Sequence, residues 1–436
     1  MCRAPPGTDA RSSMSQRSVR LPATRSAAAA IRATVEHAAG HWIDLARVRA
    51  YSGALLVLFC VLLLGWAWTS NGFTDVTMAR PGTDFSAFWG ASYLALTQGP
   101  LQAYDVRQLT AVIAEHGTLG RGAELILPWL YPPTFLLMVL PLSLLPLTLS
   151  YLLFLAGTGL VYFKSIGMLT GAQHPWRQGL WLPVLAAPAT LITILAGQNS
   201  LLTAGVAGAA VYHLNKRPVL AGVLIGLLAI KPQLAVLFPL ALVISRAWKA
   251  LASALLTTVV FASVSVLVCG WRTVPAFLAN AQWVRASFIE GGANLWWGMP
   301  TPIAAARLAG ASVTGAYAVQ VLTALAMAAA MAYVWRRTTA FELRAAALAI
   351  ATLMVSPYLR DYELTWLGLA IAGLVGDGVR DDSANGLSSG DRALLVVAWL
   401  LPLYEHANPY LKLPQFGPAV LIAMMALVVR RVATRA

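Results

Sequence analysis

Asp84 stands behind a Pro-Gly turn and opens an aromatic stretch, Thr83-Asp84-Phe85-Ser86-Ala87-Phe88-Trp89. A carboxylate there has two uses. It can cap a helix that starts at this point, because Asp favours the N-cap position. It can also take a proton from an acceptor hydroxyl as that hydroxyl attacks, a role typically worth about 10²–10⁴ in rate. Lys231 interrupts the apolar run from Gly222 to Ile230 and is followed by Pro232 and Gln233. It is either a lysine snorkelling to an interface or, with Gln233, a holder of phosphate. Gln198 and Asn199 follow Gly197 between two apolar runs, as a tight interhelical turn or as amides that hydrogen-bond a sugar. Arg360, Asp361 and Glu363 form the densest charge cluster near the end of an apolar run. The cluster is an internal Arg–carboxylate pair, or it offers the guanidinium fork that suits phosphate. Tyr358 and Tyr362 flank it, as rings that stack on a sugar or as interfacial aromatics. Glu405 and His406 are outer-loop residues, with His406 either incidental or part of a sugar or acceptor site. Trp296 and Trp297 read as interfacial aromatics more readily than as a sugar platform. No Ser-His-Asp arrangement, P-loop or dinucleotide fingerprint is present.

The elements that position these residues are apolar helices. Of 436 residues, 58% are hydrophobic and 11% charged, far below the roughly 25% charge of a soluble domain. Such a chain cannot cover its surface with polar groups, so the sequence predicts an all-α polytopic membrane protein. The net charge of +14 then reads as the Lys/Arg excess of cytoplasmic flanks rather than as nucleic-acid binding. Cys2, Cys60 and Cys269 have no spacing that suggests a disulfide or a metal site.

Residues 1–49 form an Arg-, Ala- and Ser-rich arm, expected to be cytoplasmic and partly disordered, with an interfacial helix as one option over 27–49. It is too long for the basic region of a secretory signal. Residues 50–436 are expected to form one transmembrane domain. A first span at 50–69 leads into an outer loop, 70–147, whose stretch 85–97 is expected to lie as an aromatic helix in the outer interface. Residues 134–146 are expected to stay on the outer side. Spans follow near 148–168, 179–196, 200–213, 218–230, 232–246 and 250–269, then an outer loop, 270–315. The last spans fall near 316–335, 343–356, 363–376, 393–404 and 418–431, with 376–392 a flexible cytoplasmic loop. This gives about twelve spans and two cytoplasmic termini, with Lys216, Arg217, Arg336, Arg337, Arg430 and Arg431 inside. It also gathers the polar motifs at one face, where charges at span ends suggest a wet cavity.

The motifs occur in a fixed order: T-D-F-S-A-F-W at 83–89, Y-P-P-T-F at 131–135, G-Q-N-S-L-L-T at 197–203, A-I-K-P-Q at 229–233 and S-P-Y-L-R-D-Y-E-L at 356–364. The ordered set resembles glycosyltransferase family 87. The resemblance implies the GT-C membrane glycosyltransferase fold and an enzyme of the cytoplasmic membrane of bacteria. Its donor would be a sugar, by family mannose, on a polyprenyl phosphate, and its acceptor a lipid or glycan at the outer face. Asp84 matches the catalytic base of the family. The His that is important near the S-P motif in the family's mycobacterial mannosyltransferase is absent from S-P-Y-L-R-D-Y-E, with Arg360 or Tyr358 as the candidates in its place. On this reading Asp84 is the base and Lys231 and Arg360 hold the donor phosphate. Gln198, Asn199, Gln233, Tyr358, Asp361, Tyr362, Glu363 and His406 contact sugar or acceptor. No cofactor or metal is expected beyond the lipid-linked sugar and membrane lipid, and the residues say nothing of oligomeric state. A transporter or lipid flippase is the rival class, and a non-catalytic scaffold the third. A transporter calls for ionisable groups at mid-span and an internal repeat, and neither stands out.

Overall fold

The first apolar run becomes helix α1, Leu45–Thr69, in a computed structural model that describes residues 45–74, 80–116, 127–171, 181–292, 294–380 and 386–435. The arm over 1–44 therefore lies outside the described residues, and its expected end at 45–49 belongs to α1. Three further helices match α1 in length and apolar character: α5 (Leu147–Thr170), α11 (Trp248–Cys269) and α14 (Val313–Arg337). All four are long and apolar enough to cross a membrane. They coincide with the expected spans at 50–69, 148–168, 250–269 and 316–335. Helix α11 leaves Leu255, Leu256 and Val259 exposed, a surface suited to lipid rather than water.

The other expected spans fall on shorter helices. The stretch 179–196 is broken into α6 (Trp181–Leu185) and α7 (Pro188–Ala196). Pro188 explains the break, since a proline pushes the residue before it out of helical geometry, and Ala187 has ψ 128°. Then come α8 (Ser200–His213), α9 (Pro218–Leu227), α10 (Phe238–Ile244), α15 (Phe341–Val355), α16 (Leu367–Arg380), α17 (Ser389–Leu411) and α18 (Gly417–Ala433). Among the described residues every regular element is helical, and the protein is an all-α membrane protein. The loop expected over 376–392 narrows, because α16 runs to Arg380 and α17 begins at Ser389; residues 381–385 lie outside the described set.

Helix α15 is the centre of the main core, buried without interruption from Glu342 to Met354. Its alanines let neighbouring helices approach closely. Helices α9 and α11 run parallel: Gly222 faces Ala250 and Ala254, while Gly226 faces Ala254 and Thr257. The chain between them must therefore turn at Lys231 and come back through α10. Ile230 shares a cluster with Phe261, and from there α11 continues to Cys269, roughly 12 Å further. The Lys231 turn is thus recessed from the end of α11.

A second core, which takes in Ile230 and Cys269, is built around α2 (Thr83–Thr97), with α3 (Val106–Glu115) and α4 (Pro133–Val139) packed on it. The stretch 85–97, expected to lie in the outer interface, is packed within the protein. Helix α2 is a buried element with ten of its residues enclosed, from Phe85 to Ala95. Its small residues Ser86, Ala87, Gly90, Ala91 and Ser92 admit neighbours on several sides. Phe88 meets Trp129, Tyr131, Phe135 and Phe154 edge-on, with centroids 5.0–6.1 Å away. Residues 134–146 make the short helix α4 and a 3-10 turn over Leu140–Leu144, too short together to span. The expected loop 270–315 is largely structured. It holds α12 (Thr273–Val284), one π turn at Arg285–Glu290 and α13 (Pro302–Leu308).

Candidate active site

Two left-handed glycines build the site. Gly82 (φ 83°) precedes α2, and Gly197 (φ 74°) ends α7. The Gly82 amide donates to the Leu195 carbonyl across 2.7 Å, tying the start of α2 to the end of α7. A Cβ at Gly197 would lie 2.5 Å from Cβ of Phe85, so only glycine permits the approach. Asp84 and Gln198 are thereby brought face to face. Nε2 of Gln198 donates to Oδ2 of Asp84 across 2.7 Å, and Oε1 of Gln198 accepts from the Tyr131 hydroxyl across 2.9 Å. Asp84 is not the N-cap. Gly82 holds that position, Asp84 sits in the first turn, and no side chain caps the helix.

Asp84 keeps part of its surface open. Burial pushes its carboxyl above the ordinary value; the Gln198 hydrogen bond and the positive charge of Arg360 pull it back, Asp361 adds to the rise, and Lys231 opposes it. Tyr131 is held well above its usual value, chiefly by burial and then by the charge of Glu363.

Lys231, expected to be available for phosphate, is enclosed. It is 4% exposed, with Nζ 2.6 Å from Oε1 of Glu363 and 3.3 Å from Oδ1 of Asn199. The rings of Tyr131 and Tyr362 lie 5.6 and 5.8 Å from the same ammonium. An ammonium at this depth needs a partner, because an unpaired buried charge is far costlier than a paired one. The other oxygen of Glu363 accepts the backbone N–H of Arg360 across 2.7 Å. One carboxylate thus starts the 3-10 turn Asp361–Trp366 and neutralises Lys231. That turn is fixed to α7 by the Thr193–Thr365 hydroxyl pair at 2.8 Å.

Asp361 is buried between two basic side chains. Nε of Arg360 lies 4.0 Å from Oδ1, and Nδ1 of His406, carried by α17, lies 2.6 Å from Oδ2. His406 is half exposed, and Nη1 of Arg360 is buried with no hydrogen-bond partner among the described residues. Asp84, Gln198, Asn199, Lys231, Tyr358, Arg360, Asp361, Tyr362, Glu363 and His406 therefore share one neighbourhood. Gln233 does not: it is exposed on the turn after Lys231, two residues round from the ammonium, and its amide makes no hydrogen bond to the cluster. Glu405 turns away from His406, is fully buried, and accepts from Gln415, which also donates to the carbonyl of Met299. Trp296, read as an interfacial aromatic, is buried under the Arg307 guanidinium. Tyr131 was not among the residues expected to touch substrate. Its place in the Y-P-P motif was the available signal, since Pro132 and Pro133 fix the backbone just beyond it.

The arrangement can accept a proton at Asp84 and hold an anion near Arg360. The glycosyltransferase family 87 model matches residues 129–357. That span includes Tyr131, Gln198, Asn199 and Lys231 and ends three residues before Arg360. Among curated proteins and solved structures, none matches the chain. With more than half of its length matched, this chain belongs to glycosyltransferase family 87 and is a membrane glycosyltransferase.

Proposed function

We propose that the protein is an inverting transferase that moves a hexose, with mannose as the first candidate, from a polyprenyl-phosphate carrier to a lipid or glycan acceptor. The reaction takes place at the outer face of the bacterial cytoplasmic membrane, on a GT-C fold of about twelve crossings with both termini cytoplasmic. Asp84 accepts the proton of the acceptor hydroxyl. The oxygen of that hydroxyl forms a bond to the anomeric carbon, and the bond from that carbon to the phosphate oxygen breaks on the opposite side. The electron pair leaves with polyprenyl phosphate. A β-linked donor gives an α-linked product.

The phosphate is already a competent leaving group, so position and charge carry most of the catalysis. Arg360 faces the phosphate, and the Lys231–Glu363 pair stiffens the wall behind it. Gln198 orients the base, Asn199 has in Nδ2 a donor to offer a sugar or acceptor hydroxyl, and Tyr358 and Tyr362 offer ring faces. The observation that carries this reading is Asp84 itself. It is a partly open carboxylate, desolvated enough to be a stronger base than usual, and anchored by Gln198 at 2.7 Å.

The test is transfer by purified protein in lipid. It is given radiolabelled polyprenyl-phosphate-mannose and a membrane-lipid extract as acceptor, with Asp84→Asn alongside. Labelled product from the unaltered protein alone supports the reading. Equal product from both removes Asp84 as the base, and no product from any lipid-linked sugar tried turns the question back to a transporter.

A further inference from the structure

Resting on the lipid-phosphate donor proposed above, we infer that His406 is the second ligand of the donor phosphate, beside Arg360, and that Asp361 is the positioning residue that orders both. The charges at the site lead to this. Lys231 is neutralised by Glu363 across 2.6 Å and has little left for a ligand. Arg360 meets Asp361 through Nε, at 4.0 Å, and its Nη1 is buried without a partner among the described residues. A buried guanidinium nitrogen with an unspent donor is a place where an acceptor oxygen is missing.

His406 complements it. A carboxylate only accepts, so Nδ1 of the ring carries the hydrogen donated to Oδ2 of Asp361 at 2.6 Å. That contact spends Nδ1 on Asp361 and leaves Nε2 on the open side of a ring that is 54% exposed. The two basic side chains thus grip the two oxygens of one buried carboxylate, and each keeps a nitrogen to offer. A phosphodiester seated between Nη1 and Nε2 would take a charge-assisted hydrogen bond from each, the ring carrying a hydrogen on both nitrogens in that complex. His406 comes from α17, 42 residues beyond the end of the 356–364 motif. The sequence thus delivers to the site, from a different helix, an imidazole that the motif itself lacks.

The experiment measures binding of farnesyl phosphate to the purified full-length protein in detergent, with farnesol and inorganic phosphate as separate probes. The expected result is that His406→Gln weakens farnesyl phosphate binding about tenfold, the effect of one lost charge-assisted hydrogen bond. Farnesol binding should stay as in the unaltered protein. His406→Lys, which keeps a cation at the rim, should recover most of the loss. In the transfer assay the same His406→Gln change should raise the donor KM more than it lowers kcat. Unchanged farnesyl phosphate binding in His406→Gln overturns the inference and leaves the lipid-phosphate donor standing. Parallel loss of farnesol and farnesyl phosphate also overturns it, because that marks a structural role. If inorganic phosphate binds as tightly as farnesyl phosphate, the site serves a soluble anion. If the unaltered protein binds no farnesyl phosphate, the polyprenyl-phosphate donor falls together with the inference.

Discussion

The side-chain amide of Gln198 donates to Oδ2 of Asp84 across 2.7 Å, joining the first turn of α2 to the turn between α7 and α8. A carboxylate held through one oxygen keeps its other oxygen for a substrate. Gln198 is in turn held by the Tyr131 hydroxyl, so the orientation of the base is set by a three-residue chain.

Replacing Asp84 by Asn keeps the shape and removes the proton acceptor. Transfer should fall by about 10²–10⁴, the usual contribution of a general base, with farnesyl phosphate binding intact. Retained transfer in single-turnover measurements would remove Asp84 from the chemistry.

The pH profile follows from the direction of the Asp84 shift. Only the ionised carboxyl can accept a proton, so activity should fall as pH drops through a value above 3.8, the ordinary Asp value. Stability has the opposite sense. In the window between 3.8 and the raised folded-state value the folded protein binds more protons than the unfolded chain. Stability therefore declines as pH rises through that window and stays lower above it. Asp84→Asn should accordingly melt at or above the temperature of the unaltered protein at neutral pH. A clear loss of thermal stability at pH 7 would contradict the dominance of desolvation.

Gln198→Leu removes the donor to Asp84 and leaves the Tyr131 hydroxyl without its acceptor. We expect kcat to fall about tenfold, in line with one hydrogen bond to a charged group, and donor KM to change little. A rise in KM with unchanged kcat would place Gln198 in binding instead of base orientation.

Lys231 and Glu363 form a buried pair at 2.6 Å. Lys231→Met alone leaves Glu363 uncompensated and should cost about 3–5 kcal/mol of stability. Combining it with Glu363→Gln, which can still accept the Arg360 N–H, should restore a large part. A double-mutant cycle on thermal unfolding measures the coupling, and additive losses would show that the pair contributes nothing as a pair.

Gly197→Ala forces a side chain onto a backbone at φ 74° and places Cβ 2.5 Å from Cβ of Phe85. The left-handed conformation alone costs about 1–2 kcal/mol, and the clash must also move α2 away from α7. Activity should drop more than stability, since the displaced pair is Asp84 and Gln198. Transfer at the level of the unaltered protein would show that their separation is not critical.

The sequence by itself determined the class of the protein. Charge at 11% and long apolar runs dictate helices in lipid, because no other arrangement satisfies the backbone there. The ordered motifs from Thr83 to Leu364 gave the family, and nearly every residue they singled out lies in one cluster. Periodicity could not show that α2 is enclosed, because an aromatic stretch reads alike whether it meets lipid, an interface or other aromatic rings. Nor could it place Gln233, since a residue two positions from Lys231 on a 3-10 turn points elsewhere. The pairings were decided by tertiary structure alone. Lys231 meets Glu363 across 132 positions and Asp361 meets His406 across 45, and nothing local to those residues encodes such meetings. They exist because the 3-10 turn at Asp361–Trp366 is fixed to α7 through Thr193 and Thr365, and because buried charges have to find each other once helix packing has excluded water.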